Sequence, residues 1–422
     1  MANSYTAPSL WHPLLVTWRY IRMTLSMLTL IFLIPIWALC AFHPSWRPRR
    51  AWKIRDVLLV KVLRTVLGAA FATGIFPGTG TPDEPAHDAS AISYPDILDG
   101  RQVWINPLSS EDLEDGDPEV LHAMRVNDVA PAKVRAFWFS APGLETGSEK
   151  KIKLGRVMIY FHGGGFVSGT AAPKKPGSAE GLARHLVQAG ARSSAGVTHV
   201  LSVDYRLACG PPFAANGNHA NPFPAPLLDA LSAYLHVTND LGVNARDIIM
   251  CGDSAGGQIA LGVALWIVRS RTKKLGLPGA LVLLSPMVDY PSVEDASPGS
   301  SLVRNAATDF SGPILEAWLL RQLCAWKACR GMAERLSVHL ARDCQRSEDT
   351  DLTGLPPTCI VAGEAEQMVD SIRLLHEQIL CLGVQSKYLE YEDAYHDFIS
   401  LDGLHSQDAL KDIQLWLSKV FH

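Results

Sequence analysis

The chain has little charge and no cysteine-pairing motif. Over 422 residues, Lys and Arg number 38 and Asp and Glu 42, for a net charge of −4, and basic residues cluster only in one N-terminal stretch. A nucleic-acid partner needs a cationic face to neutralise phosphate, so none is expected. The 8 cysteines include no Cys-x-x-Cys and no metal-type pairing with histidine. Neither a thiolate metal site nor a disulfide framework follows, and no metal or organic cofactor is implied. Cys251 and Cys359, set in apolar runs, read as small buried residues. Asn-x-Ser/Thr is also absent, which agrees with a cytosolic face without demanding one.

Charge is missing locally as well. Thr24 to Phe42 holds no charged residue over 19 positions, and about 20 apolar residues span a bilayer core. We expect one transmembrane helix here, with residues 1–55 as a membrane anchor. A removable secretory signal, whose apolar region runs about 7–15 residues, and a hydrophobic cap helix are the alternatives. Trp11, Trp18 and Tyr20 before the run, and Trp37, Trp46 and Trp52 near or after its end, match interfacial aromatic belts. Arg47, Arg49, Arg50, Lys53 and Arg55 outnumber Arg19 and Arg22 upstream. The positive-inside rule then puts the following domain in the cytosol; the expected membrane is the endoplasmic reticulum or a similar internal one. Asp56 to Phe76 is apolar too, but Lys61 and Arg64 interrupt it, which favours an amphipathic helix on the membrane or in a substrate cap. After Pro77-Gly78-Thr79-Gly80 the chain turns polar, so 56–150 reads as cap, linker and edge-strand material ahead of a domain at 151–422.

Two glycine-rich motifs carry chemistry. Gly252-Asp253-Ser254-Ala255-Gly256 follows the apolar run Ile248 to Cys251 and precedes a helix-like stretch from Gln258 to Val268. A strand-to-helix turn of this kind forces its serine into a strained backbone with the hydroxyl at the tip, and small neighbours let strand and helix close up. Ser254 is therefore a candidate nucleophile, although any tight turn can use such residues. Upstream, the strand-like Val157 to Phe161 runs into His162-Gly163-Gly164-Gly165-Phe166. Glycines leave N–H groups unshielded, and donors aimed at a developing oxyanion are each worth about 3 kcal/mol of barrier. Gly164, Gly165 and Ala255 are the expected donors. A phosphate-binding loop would need a lysine and Ser/Thr at fixed spacing, which Phe166-Val167-Ser168-Gly169 lacks.

With these two signatures the chain resembles the hormone-sensitive-lipase branch of the α/β-hydrolases. Asp204-Tyr205-Arg206-Leu207-Ala208 and Phe223-Pro224-Ala225 resemble two further blocks of that family, with Cys209 in place of the usual proline and a polar insertion from Gly210 to Asn221. The resemblance covers roughly 150 to 422. It implies a mostly parallel central sheet flanked by helices, with a helical cap; the insertion at about 291–346 would belong to that cap, and its Leu315, Trp318, Leu319, Leu320 and Trp326 read as pocket lining or core.

A serine hydroxyl needs a base and an orienting acid, which in this fold follow in the order Ser, acid, His. His396, in Ala394-Tyr395-His396-Asp397-Phe398, stands where the family has His-Gly-Phe, with Asp397 replacing the glycine; His376, His405 and His422 read as surface residues. For the acid, the family's Asp-x-Leu-x-Asp laid on Glu366-Gln367-Met368-Val369-Asp370 selects Glu366, with Glu364 and Asp370 as competitors. Asp370 reads as a helix brace and Glu364 as solvent-facing, while Asp253 and Asp204 read as structural. The resemblance implies acyl transfer from an ester to water. An anchored enzyme should meet lipophilic esters, such as sterol, terpenoid or polyketide acetates or short-chain acylglycerols. Acyl transfer to an alcohol and a non-catalytic small-ligand receptor are alternatives, and nothing in the sequence sets the oligomeric state.

Overall fold

Alternation along the strands decides the layering. In β3 (Arg156–Phe161), Val157, Ile159 and Phe161 face one core while Met158 and Tyr160 face another. Such two-sided burial is what a parallel strand covered on both faces requires. The computed structural model describes residues 13–75, 101–141, 155–175, 177–208, 221–270, 275–288, 297–312 and 352–422. Before β3 come α1 (Pro13–Cys40), α2 (Ile54–Thr73), β1 (Gln102–Ile105), α3 (Pro118–Asn127) and β2 (Val134–Ser140). After it follow α4 (Glu180–Arg192), β4 (Val197–Asp204), α5 (Ala225–Leu235), β5 (Ile248–Asp253), α6 (Ala255–Arg269) and β6 (Ala280–Leu284). The chain ends with β7 (Thr358–Gly363), α7 (Val369–Cys381), β8 (Ser386–Tyr391) and α8 (Ser406–Val420).

The strands form one 8-stranded sheet in the order β1-β2-β4-β3-β5-β6-β7-β8. β1 and β2 are antiparallel, as are β2 and β4; every pair from β4 to β8 is parallel. The sheet therefore begins before residue 151: β1 forms its edge and β2 lies between β1 and β4. One face is covered by α5, α6 and α7, through residues such as Leu228, Val263 and Ile372. The other is covered by α4 and α8, through Leu186, Ile413 and Leu417. From β3 the chain steps to β4 on one side and then to β5 on the other. That reversal opens a crevice at the carboxyl ends of β3 and β5, where ligands bind in open α/β sheets.

The N-terminal segment joins the domain closely. Val16–Cys40 within α1 is long and apolar enough to cross a membrane, and Phe32 and Leu39 are 71% and 73% exposed. α2 packs antiparallel to it, with Met23 against Ala69 and Ala70. Between the helices, Arg47 donates to the carbonyls of Ala41 at 2.8 Å and Trp52 at 2.6 Å. The segment at 54–73 does not lie free as a surface amphipathic helix. Its Val57 and Val60 enter the sheet core beside Trp52, which is fully buried, donates from Nε1 to the Asp393 carbonyl at 2.6 Å and meets Tyr395 edge-on at 5.7 Å. Emptying so large a buried site costs about 3–5 kcal/mol. Trp52→Ala should accordingly lower the thermal unfolding midpoint of the full chain by several degrees; an unchanged midpoint would mean that this segment does not dock.

Candidate active site

The turn after β5 explains the small residues around Ser254. A Cβ on Gly256 would lie 2.0 Å from the Phe161 carbonyl oxygen, so only glycine lets α6 start this close to β3. Ser254 itself holds φ 50° and ψ −117°, a conformation that costs an L-residue about 1–3 kcal/mol and persists only where the surroundings enforce it. Here they do, because Ser254 N–H donates to Leu284 and its carbonyl accepts from Met287.

The Ser254 hydroxyl lies 3.0 Å from His396 Nε2, and His396 Nδ1 lies 2.7 Å from Glu366 Oε2. The other Glu366 oxygen accepts from Gly363 N–H at 2.7 Å and the Ser285 hydroxyl at 3.2 Å. These three side chains come from the carboxyl ends of β5, β7 and β8, and all are buried. Burial pushes the Glu366 carboxyl upward, opposed by its hydrogen bond to His396. For His396, burial acts downward, but the Asp397 and Glu366 carboxyls outweigh it and lift the imidazole to about 10.

The loop after β3 stands beside the nucleophile. A Cβ on Gly163 would come within 3.2 Å of Ser254 Cβ and 2.5 Å of Asp253 Oδ2. Among the described residues, the N–H groups of Gly164, Gly165 and Ala255 donate to no turn or loop carbonyl. Tyr205 holds the loop by donating to the His162 carbonyl at 2.7 Å and stacking on the His162 ring at 4.4 Å. Asp204 accepts from Arg135 Nε at 2.9 Å and Thr170 Oγ1 at 2.8 Å, and Asp253 accepts from the Tyr160 hydroxyl at 2.5 Å. Both carboxylates brace loops.

The competing acids lie elsewhere. Asp370 accepts from Ser301 N–H and pairs with Arg304 and Arg373, and Glu364 pairs with Arg49 at 3.0 Å. His376 stacks on Tyr388, His405 lies 3.5 Å from Asp408, and His422 meets Ser194, all apart from Ser254.

Several supports of the site carry no sequence signal. Asn305 Nδ2 donates to the carbonyls of Glu364 and Glu366 at 2.8 Å each, and Thr308 donates to Ala365 at 2.8 Å. Asp309 Oδ2 accepts from Gln367 N–H at 2.5 Å. Of the insertion expected at 291–346, only 297–312 is described, and this part clamps the acid loop. Leu315, Trp318, Leu319, Leu320 and Trp326, like the polar insertion from Gly210, lie outside the described residues.

Comparison with known proteins agrees with this architecture. Residues 158–400 match the alpha/beta hydrolase fold family. An acetyl-hydrolase of Streptomyces hygroscopicus is 30% identical over 247 residues, 57% of this chain and 68% of that one. The esterase LipI of Mycobacterium tuberculosis is 30% identical over 253 residues, 59% of this chain and 67% of that one. The crystal structure of an esterase from the bacterial hormone-sensitive lipase family superposes with a TM-score of 0.55 at 24% identity, covering 86% of this chain and 98% of that one. The chain belongs to the α/β-hydrolase family, among its serine ester hydrolases.

Proposed function

We propose that this protein hydrolyses a lipophilic small-molecule ester, with acetates of sterol, terpenoid or polyketide alcohols as the favoured class. The observation that carries the catalytic reading is the continuous chain of contacts from Ser254 Oγ through His396 to Glu366. Ser254 attacks the ester carbonyl as His396 Nε2 takes its proton. The N–H groups of Gly164, Gly165 and Ala255 receive the oxyanion, worth about 3 kcal/mol per donor. His396 then gives the proton to the departing alcohol, and water repeats the sequence in reverse to free the acid. Glu366 keeps Nδ1 protonated, so that Nε2 faces the serine.

The substrate class rests on location. Exposed apolar side chains along α1 suit lipid better than water, and we assign residues 1–55 as a membrane anchor with the hydrolase on the cytosolic side. The name of the Streptomyces relative favours an acetyl group. Two assays test the proposal. The full chain should stay in the membrane pellet after an alkaline wash, whereas a chain lacking residues 1–43 should be released; release of both would remove the anchor. Acetates of membrane-partitioning alcohols should give kcat/KM at least about tenfold above p-nitrophenyl acetate, since each 1.4 kcal/mol of added apolar contact in the transition state is tenfold. Preference for the soluble ester over every lipophilic one would refute the substrate class.

A further inference from the structure

One buried acid beside the base has no part in this scheme. Asp397 follows His396 directly, where the resembling family has glycine, and its φ of 53° lies in the left-handed region that glycine adopts freely and Asp or Asn tolerates. Its side chain is only 12% exposed, and Oδ2 stands 3.3 Å from His396 Nε2. That is the nitrogen lying 3.0 Å from Ser254 Oγ, so a carboxyl group and the nucleophile share one edge of the imidazole.

We propose that Asp397 is a positioning residue that acts through His396, holding one extra proton on the Nε2 edge in the resting enzyme, so that base function begins only after the pair has released it. This rests on the catalytic reading of Ser254 and His396 given above. While that proton is present, Nε2 cannot accept the serine proton. Once it passes to solvent, Nε2 is free, and the imidazolium formed on Ser254 attack is held between carboxylates at both edges.

The alternative seat for the proton is poor. Asp397 Oδ1 is buried without a hydrogen-bond partner among the described residues, so a neutral carboxyl protonated there would leave its O–H unsatisfied. Protonated on Oδ2, it would face Nε2. The largest charges acting on the pair among the described residues are acids: Glu366 at Nδ1, Asp253 at the end of β5 with its Tyr160 partner and His162 acting on it, and Asp309 from the 297–312 segment. Burial raises Asp397 far above the usual carboxylate range, with Asp253 adding to the rise and His396 opposing it. Two groups this close titrate as a unit. A carboxylate beside an imidazolium raises the pH at which the proton leaves, so the rate should climb with pH through an acid limb above the ordinary histidine range.

The test is the pH profile of kcat/KM, from about pH 5 to 10, on a neutral ester. Asp397→Asn keeps the shape and removes the charge; Asp397→Gly removes the side chain and suits the backbone, so it carries the test if the first variant fails to fold. Both should shift the acid limb down by at least about one unit, raising activity at pH 6 relative to the plateau about tenfold. An unmoved limb in a folded variant that retains Ser254-dependent hydrolysis would overturn the inference alone, even if the plateau fell. Absence of Ser254-dependent hydrolysis in the wild type at every pH would overturn the catalytic reading and this inference with it.

Discussion

Ser254→Ala should lower kcat for ester hydrolysis by about 10⁶-fold, down to what binding and the oxyanion donors alone can supply. Losing the hydroxyl removes the covalent route altogether, and His396 and Glu366 then have no proton to move. The substitution is sterically mild: Ser254 is buried in a turn held by backbone hydrogen bonds to Leu284 and Met287, so folding and ligand binding should stay near wild type. The measurement is kcat with thermal unfolding on the same preparation. Retention of more than about 1% of wild-type kcat, against a predicted loss of this size, would place the nucleophile elsewhere.

Glu366→Gln should cost about 10³–10⁴-fold in kcat while leaving KM little changed. Glu366 is fully buried, and its Oε2 receives the Nδ1 proton at 2.7 Å. An amide there either donates toward Nδ1, selecting the wrong tautomer, or accepts without the charge that stabilises the imidazolium. The same change at Glu364, or Asp370→Asn, removes only partly exposed ion pairs to Arg49, Arg304 and Arg373. Such pairs are worth about 0–1 kcal/mol, so kcat should stay within a few-fold of wild type. A loss at Glu364 or Asp370 as large as that at Glu366 would contradict the assignment of the acid.

The side chains that meet at the crevice are legible in the sequence because short-range rules fix their surroundings. Val157 to Phe161 and Ile248 to Cys251 are apolar runs long enough only for strands, and the glycines that follow them permit contacts, such as Gly256 on Phe161, that no side chain would. Glu366 takes more, because three acids lie within seven residues. What separates them is tertiary: Arg49 draws Glu364 aside, Arg304 draws Asp370, and Ser285 with Gly363 N–H fixes Glu366.

The N-terminal segment is the opposite case. Its apolar run is obvious, but nothing local shows that Trp52 reaches Asp393 and Tyr395 across some 340 residues of chain, or that Asn305 and Thr308 hold the acid loop. Those contacts depend on shape complementarity between distant segments, which hydrophobic periodicity does not encode. β1 and β2 are hidden for a related reason. They lie within a polar stretch, and β2, paired on both sides, is buried at nearly every position, so it lacks the alternation that marks a half-buried strand.

The central claim is that Ser254 is activated by His396. Labelling of the full chain with a fluorophosphonate probe tests it most directly, because such probes phosphonylate only an activated serine. The wild type should label rapidly, and both Ser254→Ala and His396→Ala should abolish labelling. A folded wild type that takes no label, or labelling that survives Ser254→Ala, would contradict it.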